Sequence, residues 1–158
     1  MMVETMQTIH TFGKKDPNKS YIKRPSVYAV VFNETMKNAA VVQTDGGKSF
    51  LLGGGLEGEE THIECLKREA IEELGLEIEI KQYIGYAERY FFSTKEYTDY
   101  LSQGYFYICE LGKKICEPIE EDHHLIWMDI DEVQKKLFHE HQSWAVKTAL
   151  ELSRQNDK

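Results

Sequence analysis

Between Thr61 and Gly75 the chain spaces Ile63, Leu66, Ala70 and Leu74 at intervals of three and four, which puts all four on one stripe of an α-helix. Both ends carry residues with a physical reason to be there. Thr61 and Glu64 fit a capping box, and Gly75 suits the left-handed residue that closes a helix. Three glycines, Gly53-Gly54-Gly55, stand a short way upstream. The same helix places Glu69, Glu72 and Glu73 on overlapping parts of one face, beside the apolar stripe. Like charges at that spacing destabilise an isolated helix by about 0.2–0.5 kcal/mol per pair. A stable helix built this way calls for a compensating cation.

The rest of the chain supplies strands around this helix. After Pro25 the run Val27-Tyr28-Ala29-Val30-Val31-Phe32 is short, apolar and rich in β-branched and aromatic residues, which predicts a buried strand. Asn33 to Asn38 reads as a turn and Ala39 to Gln43 as a second strand. Asp45-Gly46-Gly47 is a hairpin signal before a strand that begins over Ser49 to Leu52. Further strands are expected at Glu77 to Arg89, Gly104 to Leu111 and His124 to Met128. The polar, Tyr-rich stretch Ser93 to Gln103 between the first two reads as a functional loop. Asp129 then caps a short helix with Val133 and Leu137, and a last helix runs from about Gln142 to Leu152. Residues 1–24 read as a loosely attached arm with a short strand over Thr8 to Phe12, and 25–158 as one domain. The element order predicts an α+β fold, an α/β/α sandwich of helices around a mixed sheet.

Charge and cysteine usage exclude several functions. The 27 acidic residues outnumber the 19 Lys and Arg by 8. Such a field opposes sequence-independent binding of a nucleic acid polymer, which depends on cations that neutralise phosphates. A small phosphorylated ligand is still admissible, because a bound divalent cation inverts the local charge. Cys65, Cys109 and Cys116 form neither a disulfide framework nor a zinc quartet, and they read as reduced thiols of a cytoplasmic protein. The polar N-terminus lacks a signal-peptide stretch, and no apolar run is long enough to cross a membrane.

The chemistry lies in Gly53 to Leu76. A bare Glu-x-x-Glu-Glu is usually a solvated helix face. Here, however, Mg²⁺ prefers carboxylate oxygens, and the upstream glycines let backbone approach an ion or a phosphate closely. Arg68, four residues from both Glu64 and Glu72, can bridge two carboxylates and orient Glu72.

The whole segment resembles the Nudix box, G-x5-E-x7-R-E-U-x-E-E-x-G-U with U apolar. Gly54, Glu60, Arg68, Glu69, Glu72, Glu73 and Gly75 fill its fixed places, Ala70 and Leu76 its apolar ones. Two positions depart from many family members: Leu52 stands where they carry Pro, and Glu59 where they carry Gly, with Gly58 one place earlier. The resemblance spans roughly Pro25 to Leu152 and implies a Nudix fold with a mixed β-sheet and a box helix. It implies an enzyme that hydrolyses a diphosphate linkage in a small nucleotide-like substrate, with Mg²⁺ (or Mn²⁺) as cofactor. Glu69, Glu72, Glu73 and the Gly53 carbonyl would hold the metal, and Arg68 and Glu60 would orient them. Catalytic roles fall to Glu72, Arg68 and Glu60.

The general base is either a box Glu or a carboxylate from a distant loop, for which Glu121, beside Glu120, is the candidate. Both also fit a solvated turn with His123 and His124. Gly54, Gly55, Tyr97 and Tyr100 are candidates for substrate contact, although such tyrosines commonly cover their own loop. His10, His62, His139 and His141 form no ligand set. A catalytically silent nucleotide sensor or interaction module is the alternative, and a homodimer is compatible with the sequence. Oxidised purine triphosphates, nucleotide sugars, ADP-ribose and dinucleoside polyphosphates are all open as substrates.

Overall fold

The apolar run after Pro25 is buried on both faces because it lies between two cores. The structure, a computed structural model, describes residues 9–156. Its strands are β1 (His10–Phe12), β2 (Ile22–Val30), β3 (Asn38–Thr44), β4 (Ser49–Phe50), β5 (Leu52–Gly55), β6 (Leu76–Ser93), β7 (Thr98–Lys114) and β8 (His123–Asp129). The helices are α1 (His62–Leu74), α2 (Ile130–Lys136) and α3 (Glu140–Asn156). One mixed sheet has the order β1-β6-β7-β2-β5, and a second, antiparallel, the order β4-β3-β8.

Strand alternation sorts the side chains. Val27, Ala29 and Leu52 pack with Cys65, Leu66, Ala70 and Leu74 of α1. Val30 and Leu51 pack with Phe106 and with Ala145, Val146 and Ala149 of α3. Successive residues of one strand thus feed opposite layers, as the pleat requires. Helices cover both sides, giving the expected α/β/α sandwich.

Three boundaries differ from the sequence reading. β2 begins at Ile22, before Pro25, and runs parallel to β7 from there. Pro25 is tolerated because the β5 ladder stops at Ser26↔Gly55, and the Pro25 carbonyl simply accepts from Leu56 N at 2.9 Å. The stretch Ser93–Gln103 is not a long loop. β6 and β7 pair through it, with Phe92↔Asp99, Phe91↔Tyr100 and Tyr90↔Leu101 opposite one another, and only residues 94–97 turn. Its polarity suggested a loop, but aromatic and β-branched residues facing one another across a hairpin win. α3 begins two residues earlier than expected, at Glu140, and extends to Asn156. In the arm, β1 pairs in parallel with β6, His10 opposite Ala87, while Thr8 lies outside the described residues. Among the described residues no helix is long and apolar enough to cross a membrane.

Candidate active site

α1 forms as its caps dictate. The Thr61 hydroxyl accepts from Glu64 N at 3.2 Å, the Glu64 carboxylate accepts from Thr61 N at 3.0 Å, and Gly75 closes the helix at φ 68°. Glu64 is therefore occupied at the cap and does not share Arg68 with Glu72.

The glycines of β5 are there for close approach. Gly54 faces the Glu69 carboxylate, and a Cβ at this position would sit 2.7 Å from Glu69 Oε1. Gly53, at φ 140°, would put a Cβ 2.1 Å from the Val27 carbonyl oxygen, and its N–H donates to Glu73 Oε1 at 3.1 Å. Gly54→Ala is accordingly expected to fold, because only the end of a side chain must move, yet to lose at least about tenfold in turnover as Glu69 is displaced. Gly53→Ala collides with backbone and is expected to cost about 2–4 kcal/mol of stability. Parallel melting curves and rate assays separate the two outcomes.

Arg68 gathers the acidic groups. Its Nε and Nη2 donate to the two oxygens of Glu60 at 2.7 and 3.0 Å, a bidentate pair. Nη1 reaches Glu69 Oε1 at 2.9 Å and Glu72 Oε2 at 3.3 Å, and Nη2 also donates to the Gly55 carbonyl at 2.9 Å. This guanidinium lowers Glu60 to about 2. One Arg cannot serve the whole cluster, however. Burial, then the negative Glu69, pushes Glu73 well above the usual carboxylate range, and burial likewise raises Glu69. Glu73 is 4% exposed. A buried carboxyl beside a half-buried one, both resisting ionisation, is short of positive charge, and a hard divalent ion fits that deficit. Cys65 packs against Gly54 and Gly55 carbonyls, its thiol pushed up to about 12 by burial, so it is an inert core group.

The C-terminal end of α1 recruits a second segment. The amides of Ile119 and Glu120 donate to the Glu72 carbonyl at 3.0 and 2.9 Å, and Ile115 N donates to the Gly75 carbonyl at 2.8 Å. Carbonyls left unpaired by the helix end thereby latch the loop. This sets His123 between two acids: Nδ1 lies 3.0 Å from Glu120 Oε2, and Nε2 lies 4.0 Å from Glu73 Oε2. Glu120, Asp122 and His123 place one ligand atom each within 4.8 Å of one another, so acidic groups border the Glu69–Glu73 pair on this side too. Glu121 is exposed.

A cleft of about 230 Å³ opens beside Gly53, Gly54 and Glu73 and is completed by Arg24, Tyr28, Phe50, Phe91, Ser102, His123 and His139. Tyr100 stands behind it, its ring 5.7 Å from that of Phe91 and 5.5 Å from the Arg24 guanidinium, with its hydroxyl on Glu96. Tyr97 sits at the hairpin tip, 84% exposed, packed edge-on against Phe92. The structure thus brings Gly53, Gly54, Gly55, Glu60, Arg68, Glu69, Glu72 and Glu73 into one locus and leaves Tyr97 and Glu121 outside it. Sequence reading missed Arg24, His123 and His139 as lining groups. No local spacing links them: the parallel β2–β7 pairing brings in Arg24, the α1 latch His123, and the Phe138 N–Ser49 carbonyl bond at 2.9 Å the segment that carries His139. Of the two departures from the box, Gly58 adopts φ 56° and so supplies a left-handed turn one place early, leaving Glu59 exposed.

The sequence model of the NUDIX domain matches residues 22–148. The chain belongs to the NUDIX family. No curated protein sequence matches it. Among solved structures, a NUDIX hydrolase from Nitrosomonas europaea superposes with a TM-score of 0.67 at 16% identity, over 80% of this chain and 88% of that one. A MutT protein from Methanosarcina mazei Go1 gives 0.63 at 18% identity, over 89% and 100%. An ADP-ribose pyrophosphatase from Streptococcus suis 89-1591 gives 0.61 at 18% identity, over 83% and 92%. At these identities the likeness carries the fold.

Proposed function

We propose that this protein hydrolyses a diphosphate linkage in a small nucleotide-derived substrate, using Mg²⁺ or Mn²⁺ held by Glu69, Glu72, Glu73 and the Gly53 carbonyl. One observation carries the reading: buried Glu73 and half-buried Glu69 lie together against glycine backbone, and the one guanidinium that reaches Glu69 is shared with Glu60 and Glu72. When bound, the cation neutralises phosphate oxygens and lowers the cost of generating a nucleophile from water. The protein's own groups do the positioning. Arg68 holds Glu69 and Glu72 in a fixed relation through Nη1, and Glu60 fixes Arg68. Gly54 and Gly55 leave the backbone open for the diphosphate.

Glu120, rather than Glu121, is the loop carboxylate suited to take the proton from attacking water, since it stands against His123 on the Glu73 side. Glu120→Gln is expected to lower kcat by about 10²–10³-fold with KM little changed. Glu121→Gln should leave both constants within twofold, roughly the margin for an exposed substitution. A normal kcat in Glu120→Gln would remove it as base and return the role to a box Glu. In this reading residues 25–158 form the catalytic unit together with Ile22–Arg24, which pair with β7, while His10–Phe12 of the arm pair with β6. A cytoplasmic setting suits its reduced thiols, and a homodimer is compatible with it.

The test is a product-resolved screen over nucleoside di- and triphosphates, nucleotide sugars, ADP-ribose and dinucleoside polyphosphates with each ion. Metal-dependent release of a nucleoside monophosphate from one class is the expected result. Folded protein that binds a nucleotide tightly and releases no product with either ion would overturn the proposal.

A further inference from the structure

The cleft beside the box holds a polar group that the proposed hydrolysis does not use. His139 is 8% exposed, yet it lines the cleft. Its Nδ1 lies 2.7 Å from Arg89 Nη1, and the same guanidinium nitrogen donates to the Phe138 carbonyl at 2.9 Å. A guanidinium only donates, so Nδ1 accepts and the ring proton sits on Nε2. Burial, reinforced by His141 and Arg89, lowers His139 to about 3, so the ring stays in that single tautomer near neutral pH. Among the described residues, Nε2 has no hydrogen-bond partner.

The surroundings say what such a donor meets. Phe91 and Phe50 hold their rings 4.8 and 5.7 Å from that of His139, both line the cleft, and Tyr28 adds a third aromatic wall. About 230 Å³ is less than the usual volume of a site for a whole drug-sized ligand, and it suits one planar ring with the remainder of the molecule lying over the box. Of the lining side chains outside the Glu73–His123 contact, Arg24 and His139 both donate, and the carboxylate that Arg24 meets, Glu96 at 4.0 Å, does not line the cleft. A ring edge that itself donates would leave these groups opposed. An edge that accepts would pair with them.

We infer that His139, its tautomer set by Arg89, is a specificity-determining residue whose Nε2–H reads an exocyclic oxo group on the substrate's nucleobase, so that oxo-bearing bases are favoured over amino-bearing ones. The inference deepens the diphosphate-hydrolase reading and rests on it for the placement of the phosphates. His139 touches the base. Arg89 is a positioning residue that acts through it.

Inosine and adenosine monophosphate differ at one ring edge, oxo against amino, and calorimetric titration of each needs no turnover. Wild-type protein should bind the oxo nucleotide at least about tenfold more tightly, since a site built to pair a polar group rejects its mismatch. In His139→Leu the two affinities should fall within twofold of each other. His139→Gln, whose amide can accept from Arg89 and donate to the ligand, should retain the preference, which guards against a variant that simply unfolds. Imidazole ¹⁵N shifts should report the Nε2–H tautomer in the wild type and a mixture in Arg89→Met. Equal affinities in the wild type, no binding of either nucleotide, a preference surviving in His139→Leu, or an Nδ1–H ring would each overturn the inference. Discrimination between the two nucleotides without metal-dependent hydrolysis of any diphosphate would uphold it while sinking the hydrolase proposal.

Discussion

Glu73→Gln is expected to abolish turnover and, in metal-free buffer, to make the protein more stable. The loss follows from its place in the cation site: metal stabilisation of the reacting phosphate is worth several kcal/mol, so removal of a ligand costs about 10³-fold or more in kcat. The gain follows from burial. Glu73 is 4% exposed with Glu69 beside it, and its folded pKa lies above the value in the unfolded chain. For a carboxyl shifted in that direction, stability is fully present below the unfolded pKa and is lost as pH rises through the folded one. At neutral pH the carboxyl, which ionises more readily in the unfolded chain, therefore weighs against folding. The glutamine amide oxygen can still accept from Gly53 N, while the charge is gone. Relief of about 1–2 kcal/mol raises the melting temperature of a chain this size by about 2–8 °C. Added Mg²⁺ should then lift the wild type and not the variant, through binding to the folded state alone. Melting curves with and without Mg²⁺, beside a rate assay, check both halves. A Glu73→Gln protein that melts lower than wild type without metal would contradict this account of the cluster.

A second large effect is acid unfolding driven by two buried histidines. His139 and His141 are each lowered to about 3, first by burial and then by neighbouring positive groups, with Arg89 facing both. His141 is 0% exposed, and its Nε2 lies 3.0 Å from Ser102 Oγ. The unfolded chain takes up protons near pH 6.5 and the folded chain does not, so the stability these groups confer is complete above that pH and drains away as pH falls toward 3. Each contributes about 1.4 kcal/mol per pH unit in that window, about 2.7 for both. Against a total stability of about 5–15 kcal/mol, the fold is expected to fail between about pH 3 and 5. Glu69 and Glu73, raised in the folded state, work in the opposite sense, and Glu60, held at about 2, adds to the loss at the acid end. Comparison with His141→Gln isolates the histidine part. Its slope of stability against pH, from chemical denaturation followed by circular dichroism, should be roughly half that of the wild type between pH 6 and 4. Identical slopes would place the acid sensitivity elsewhere.

The parts of this molecule that could be read from the chain are the local ones. Thr61, Glu64 and Gly75 act within one helical turn, so the bounds of α1 follow from neighbours in sequence, and the box residues lie close enough for helix geometry to place them. Gly53 and Gly54 belonged to the motif by spacing, but the reason they must be glycine lies in the Val27 carbonyl and the Glu69 carboxylate. Features that depend on distant pairing were hidden. Tyr97 and Tyr100 looked equivalent in a polar stretch, yet the hairpin sends one to its tip and props the other behind Phe91. Arg89 and His139 are fifty positions apart, and only α3 packed over the sheet brings them within 2.7 Å. Glu120 and Glu121 are adjacent, and the latch of Glu120 N onto the Glu72 carbonyl decides which of them meets the box.

Electron paramagnetic resonance titration of Mn²⁺, in wild type and Glu73→Gln, addresses the site directly, because it counts bound ions without needing the substrate. Tight binding of at least one Mn²⁺ per chain, lost or weakened at least about tenfold in Glu73→Gln, is the result that capture by the box helix requires. Equal binding in both proteins, abolished instead by His123→Ala at the neighbouring Glu120–Asp122–His123 group, would contradict it.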